Sequence, residues 1–509
     1  MNTAATPGVM DAETFASIAH PLVDRLKQFL TELPELPLTC HRAPAEIVAR
    51  LTRSQVPLRP SSPNEVVREA ADLLLNYSLF TGHPRFLGYI CPAPDPLGTL
   101  ADMLATITNV NAASAMMAPI GHVLERTVIR WLAQLLGFPE GCDGILLSGG
   151  NQANLVGLQL ARDCKAPWPI RDYGFNHPEA RPLYVYATTE THFGLHKAMM
   201  AMGLGLSSLR LVKTNARGEM DPQDLKARIA TDRRDGALPI CVVPNVGTVA
   251  TGVIDPVREI LEVARSENLW VHADGSYGAA AALLDEPPAE LSALSDVDSI
   301  SWDPHKWMRV PYEAACVLVR DTQALTRTFG FRPSYYNSGD LADTVHHYER
   351  GPQNSRQLRA LKVWMSIAQH GKEGHAALIQ RDIALARQLY RLIESCPVLE
   401  AWSCNLSIVV FRYRPSSITA AEAALTAADL NTINQQILDR IQQSGDAYLT
   451  NAVVNEAFLL RACFVNHNTR EVDLDYLVRL VVDIGAEVIR ARSVLRTDKA
   501  TCVAADVSA

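Results

Sequence analysis

An α/β fold with a mostly parallel sheet is what the sequence predicts, on three observations. Between about Gly144 and Arg320, short apolar runs (Ile145 to Leu147, Tyr184 to Tyr186, Ile240 to Val243, Trp270 to Val271) alternate with helical stretches, the rhythm of buried strands joined by crossover helices. Within that region Asp255 reads as an N-cap, Pro256 suits the first turn, and Val257, Ile260, Leu261 and Ala264 share one helical face. This helix links the strand before Asn245 to the strand ending at Ala273 as a βαβ unit. Finally, residues able to bind anions or do chemistry recur just after these strands, where open α/β sheets bind their ligands.

A chain of 509 residues exceeds one ordinary core, so several units are expected. Residues 1–85 read as an N-terminal helical arm, with Leu22, Leu26 and Leu30 at helical spacing and a proline-rich break at Pro34 to Pro37. Residues 86–370 carry the strand-rich domain. Residues 371–495 form a smaller C-terminal domain, with a helix near Ala376 to Ser395, a strand from Ser407 to Tyr413 and a last helix near Asp473 to Val494. Residues 496–509 are a small, polar tail expected to fray.

Composition narrows the function. With 48% apolar and 20% charged residues the chain has material for a large core. A net charge of -8 leaves no basic footprint for nucleic acid. Ten cysteines are dispersed without the paired spacing of a zinc site or disulfide framework, as in a reducing compartment. The N-terminus lacks a basic segment leading into an apolar core, and no apolar run approaches the roughly 18 residues of a membrane span, so a cytoplasmic location with no membrane or metal partner is expected.

Four segments carry chemistry. In Asp303-Pro304-His305-Lys306-Trp307, a lysine follows a short apolar strand and a proline-led turn. A lone lysine is ordinarily a solvated surface residue, but one delivered from a strand end into apolar surroundings can serve as an amine nucleophile toward a carbonyl. In Trp270-Val271-His272-Ala273-Asp274-Gly275-Ser276-Tyr277, Asp274 ends a buried-looking strand. It reads either as a turn residue or as a carboxylate that holds a pyridine nitrogen protonated. Leu147-Ser148-Gly149-Gly150-Asn151 is a glycine-rich strand-to-helix junction that suits a phosphate monoester; it is neither a Walker loop nor a dinucleotide fingerprint. His192 closes the strand Tyr184 to Ala187, where an imidazole can stack on a flat cofactor.

That ordered set resembles the group II pyridoxal-phosphate decarboxylases, the family of aromatic amino-acid, histidine and glutamate decarboxylases. Further matching stretches are His83-Pro84-Arg85-Phe86, Leu100 to Leu104, Gly247-Thr248, Val317 to Arg320 and Leu361 to Trp364, so the likeness spans most of residues 80–370. The strand ending Val271-His272-Ala273-Asp274 departs from the family's usual His-Val-Asp. The resemblance implies a type I aminotransferase-like fold with a seven-stranded, mostly parallel sheet, pyridoxal 5'-phosphate as cofactor, and a homodimer with active sites at the subunit interface. It makes Lys306 the Schiff-base lysine, Asp274 the pyridinium partner and His192 the stacking residue. Gly149, Gly150, Asn151, Ser276, Ser299 and His305 are expected around the phosphate and ring, with Thr248 beside the cofactor. A loop over Phe329 to Arg350 is expected to supply the tyrosine that protonates the carbanion; Tyr348 is the candidate, with Tyr335, Tyr336 and His347 nearby.

The activity implied is decarboxylation of an L-amino acid to its amine, the apolar stretch around Tyr89, Ile90, Cys91 and Pro92 favouring an aromatic or hydrophobic substrate. Two rivals stand beside it: oxidative decarboxylation to an aldehyde on the same scaffold, and a non-catalytic binding protein.

Overall fold

Seven short apolar strands assemble into the main sheet: β1 (Asp143–Leu147), β2 (Leu183–Thr188), β3 (Leu209–Val212), β4 (Leu238–Val242), β5 (Trp270–Asp274), β6 (Ser299–Trp302) and β7 (Ala315–Val319). The computed structural model describes residues 10–39, 44–51, 55–336, 344–415 and 425–506. The strand order is β1-β7-β6-β5-β4-β2-β3. Neighbours are parallel except that β7 runs against both β1 and β6. The exception has a local cause. A parallel return needs a crossover, usually a helix, and the stretch between β6 and β7 contains only the turn that carries Lys306.

The parallel strands therefore end on one edge of the sheet, which is where β1 leads into Gly149, β2 toward His192, β5 into Asp274 and β6 toward Lys306. The helix Gly150–Lys165 crosses the sheet, burying Ala153, Val156, Leu158, Leu160 and Ala161. Its Gly157 makes the close approach possible: a Cβ there would lie 2.2 Å from the His272 ring on β5.

A second, antiparallel sheet has the order β10-β11-β9-β8, formed by β8 (Leu399–Asn405), β9 (Ile408–Tyr413), β10 (Thr450–Val454) and β11 (Ala457–Cys463). It shares a separate apolar core, including Leu389, Phe411, Ile437, Leu460 and Leu477, with the helices Ala427–Ser444 and Glu471–Asp506. The helix Arg359–Glu394 runs from one sheet's surroundings to the other and breaks at Gly371, whose φ of 60° suits glycine.

Two details differ from the sequence expectations. The helix of the βαβ unit starts at Val257 with Pro256 in the capping position. Asp255 does not cap it; its buried carboxylate accepts from Met220 N at 2.7 Å and Asn245 N at 2.6 Å, pinning the chain that leads to Gly247 and Thr248. The last helix runs on to Asp506 rather than ending near Val494, since no glycine or proline interrupts that stretch. In the helix Ala12–Glu32, Leu26 and Leu30 remain exposed.

Gly157→Ala is expected to force the helix off β5 and cost about 1–3 kcal/mol of stability, the usual range for overpacking a filled core. Urea denaturation of the two proteins measures this.

Candidate active site

The base of the site is the carboxylate of Asp274. Strand β5 drives it into the interior, where Oδ2 accepts from Asn154 Nδ2 at 2.8 Å and Oδ1 from Ser276 N and Ser301 Oγ, each at 3.2 Å. Burial opposes its ionisation, but the Lys306 ammonium and the Ser276 and Asn154 hydrogen bonds outweigh burial and hold the carboxyl below the usual carboxylate range. Asn154 is itself oriented, its Oδ1 lying 3.0 Å from His272 Nε2, while His272 Nδ1 meets Ser299 Oγ at 2.8 Å.

Lys306 enters the same cavity from the turn after β6. That turn is tied back by Lys306 N to Asp303 O at 2.9 Å and Arg309 N to Lys306 O at 3.0 Å. His192, Thr248, Gly150, Asn151 and Ser276 line the cavity together with Asp274 and Lys306. Burial pushes the His192 imidazole toward its neutral form, and Gly194 N donates to its Nδ1 at 3.1 Å. Thr248 Oγ1 accepts from Val253 N at 3.1 Å. Gly247, at φ 93°, approaches Tyr277 so closely that a Cβ would sit 2.9 Å from the ring.

The structure brings together Lys306, Asp274, His192, Thr248, Gly150, Asn151 and Ser276. His305 stands beside them: its Nδ1 accepts from Ala314 N at 3.0 Å and its Nε2 lies 3.6 Å from Asp303, while its ring is the nearest atom group to Gly149, 3.8 Å from an ideal Cβ there. Ser299 does not reach the cavity, which corrects the expectation. It begins β6 rather than ending it, and its fully buried hydroxyl accepts from Trp270 Nε1 at 2.8 Å and pairs with His272. The hydroxyl near the site is Ser301, two residues on along the same strand face. Tyr348 lies in a different pocket of the protomer with Tyr335, Tyr336, Met116 and Met117, its ring 5.2 Å from that of Tyr336. Residues 337–343 of the loop lie outside the described residues.

Sequence reasoning missed three contributors. Asp303 Oδ2 lies 3.0 Å from Lys306 Nζ and accepts from Gly150 N at 3.1 Å; its place inside the lysine motif was a signal. Asp382, far along the chain, receives Trp307 Nε1 at 2.9 Å and Arg309 Nη2 at 2.5 Å, and so holds the residues one and three beyond the lysine. Arg461 on β11 is buried and donates to Tyr89 O at 3.1 Å and Thr450 Oγ1 at 3.2 Å; its Nε and Nη2 meet no acceptor among the described residues. Neither of the last two carried a local motif.

The donor set fits pyridoxal phosphate. A carboxylate at the base and an amine opposite suit a pyridine bearing an aldehyde. A helix N-terminus with glycine, where a Cβ on Gly150 would strike Ser276 Oγ at 2.5 Å and Asp303 at 2.6 Å, keeps the phosphate end narrow.

This fold and site define a pyridoxal-phosphate enzyme of the type I class. The sequence matches the pyridoxal-dependent decarboxylase conserved domain over residues 45–414, and the chain belongs to that family. It is 29% identical to the aromatic-L-amino-acid decarboxylase of Bacillus atrophaeus over 94% of this chain and 97% of that one. It is 25% identical to the phenylacetaldehyde synthase of Petunia hybrida over 90% and 91%. The crystal structure of Oryza sativa TDC with PLP and tryptamine superposes with a TM-score of 0.87 at 25% identity, covering 95% of this chain and 99% of that chain. The protein is thus a pyridoxal-phosphate-dependent carboxy-lyase acting on an amino acid.

Two outcomes test the site's scaffold. Asp382→Leu strands the buried Arg309 charge and is expected to cost about 3–5 kcal/mol, whereas Asp382→Leu with Arg309→Leu should recover most of it, because both charges are then gone; urea denaturation of both variants decides. For pH, burial lowers His272 to about 4, so between its unfolded pKa near 6.5 and that value the unfolded chain binds a proton the folded one refuses. Stability should therefore fall as pH drops through this window, reinforced by His83 and His375, each lowered to about 4 by burial; unfolding midpoints measured near pH 7.5 and 5 report it.

Proposed function

We propose that the protein decarboxylates an L-amino acid with an aromatic or other apolar side chain to the corresponding amine, with Lys306 carrying pyridoxal phosphate through its amine. The observation that carries this is the pairing of Lys306 Nζ and the Asp274 carboxylate across one cavity that His192 also lines. When bound, the cofactor supplies an electron sink for the pair of electrons left on Cα as carbon dioxide departs.

The chain's own residues do the rest. Asp274 would keep a proton on the ring nitrogen, since a buried carboxylate already held in its charged form favours a cation beside it. His192, which lines the cavity, would lie against the ring. Gly149, Gly150, Asn151, Ser276 and His305 would hold the phosphate end, and Thr248 would lie beside the ring. Lys306, whose amine opens into the cavity, would be the residue that holds the cofactor and gives it up to the substrate amine.

Support for an apolar side chain comes from Ile90, which lines the cavity with Lys306, and from the aromatic cluster next to it in the chain. Phe86 stacks on Tyr448 at 5.4 Å between centroids, and Tyr89 lies 6.0 Å from Tyr448. Among the described residues, no carboxylate is part of this cluster to select a cationic side chain.

The exposed apolar face formed by Leu100, Met103, Leu104, Ile107, Ile120 and Val123 on the helices Pro96–Thr108 and Pro119–Leu135 supports a homodimer, as do the exposed leucines of the helix Ala12–Glu32. In such a dimer the Tyr348 loop serves the neighbouring site, which accounts for its distance from Lys306 within one protomer. Among the described residues no helix is long and apolar enough to cross a membrane; a cytoplasmic location agrees with the dispersed cysteines.

The purified protein should show the visible band of a lysine-bound cofactor and convert one member of a panel of L-amino acids to amine and carbon dioxide. Lys306→Ala should lose both the band and turnover; unchanged turnover would refute the mechanism, and aldehyde with ammonia in place of amine would move the reaction to the oxidative alternative. Ile120→Asp combined with Val123→Asp should give a monomer by sedimentation with activity reduced at least about tenfold, as expected of a site shared between subunits.

A further inference from the structure

Asp303 directly follows β6 and is almost completely buried, at 1% exposure. Lys306 Nζ and Gly150 N converge on its Oδ2 at 3.0 and 3.1 Å, His305 Nε2 lies 3.6 Å away, and Oδ1 has no hydrogen-bond partner among the described residues. The peptide of Lys306 closes the turn onto Asp303 O, so backbone and side chain together fold the lysine back over this carboxylate.

We propose that Asp303 is a catalytic residue that parks Lys306: it receives the lysine's ammonium group whenever the substrate has displaced it, keeping that nitrogen charged and out of competition with the substrate's own. The proposal rests on Lys306 being the cofactor-bearing lysine.

The chemistry requires such a partner. In the exchange, the substrate nitrogen forms a bond to the carbon that the Lys306 nitrogen gives up, and the protons of the incoming ammonium end on Lys306. A neutral lysine there keeps its lone pair and reattacks the same carbon; an ammonium has none. Release runs the same steps backward, the protons passing from Lys306 to the product nitrogen as the lysine lone pair re-forms its bond.

The groups facing Lys306 single out Asp303. From β5 comes Asp274, from the loop after β2 His192, from its own turn His305, and from the segment before the helix Pro96–Thr108 Cys91. Asp274 spends its oxygens on Asn154, Ser276 and Ser301, whereas Asp303 makes the direct ion pair. Burial works against a charged Lys306, yet Asp303 and then Asp274 overcome it and raise the amine above the ordinary lysine value.

The test uses the full chain freed of cofactor and follows the rate at which the visible band forms on adding pyridoxal 5'-phosphate or, separately, pyridoxal, across pH. Asp303→Asn keeps the shape and removes the charge, so Lys306 should become reactive at a pH lower by about one unit or more, as for loss of an opposite charge within about 4–6 Å. The shift should appear with both aldehydes and recur in Asp303→Ser, which keeps the test open if the Asn variant does not fold. An unshifted profile would overturn the proposal. So would a shift confined to the phosphate-bearing aldehyde, because the carboxylate would then act on phosphate through Gly150. Absence of any band in the unsubstituted chain would instead refute Lys306 as the cofactor lysine.

Discussion

The placing of one positive and two negative groups inside the protein at the ends of adjacent strands is the constraint on which the rest depends. A lone buried charge costs far more than a domain's net stability can absorb. Lys306, Asp274 and Asp303 are tolerated because each answers another and each carboxylate also receives N–H or O–H donors. Much of the surrounding architecture serves those donors. The helix Gly150–Lys165 supplies Asn154 and Gly150 N, and it reaches them only because Gly157 lets it settle onto His272.

The same logic extends toward the smaller sheet. Trp307 and Arg309 follow Lys306 in the chain, and both donate to Asp382, beyond the break at Gly371. Trp307 also stacks on Tyr277 at 4.8 Å, whose hydroxyl meets Ser407 beside β9. The position of the lysine is thus anchored by residues from both sheets' surroundings. The aromatic wall is assembled similarly: Phe86 and Tyr89 come from the segment before the main sheet, Tyr448 from beside β10, and Arg461 from β11.

The relatives named above include both a decarboxylase and an aldehyde synthase. In this chain Tyr335, Tyr336 and Tyr348 share a pocket separate from the one that Lys306 lines.

How much was legible beforehand follows from where each signal is stored. Strand-forming apolar runs, the helix over Val257 to Ala264, and the order glycine turn, histidine, aspartate, lysine are local in the chain, and they were sufficient for the α/β class and for singling out Lys306, Asp274 and His192, which the structure sets around one cavity. The reversed direction of β7 could be inferred only from the missing crossover, and Asp255 looked like a cap because its true partners, Met220 and Asn245, are distant in sequence. Ser299 illustrates the same limit: it shares a strand face with Ser301, but the register against β5 sets it beside His272 instead of at the strand's end. Sequence by itself determined the elements and the reactive residue types, since both arise from neighbours along the chain. Only the tertiary structure decided which carboxylate holds the lysine, which serine hydroxyl of β6 reaches Asp274 and which arginine is left with open donors, because those depend on contacts between segments that meet through packing alone.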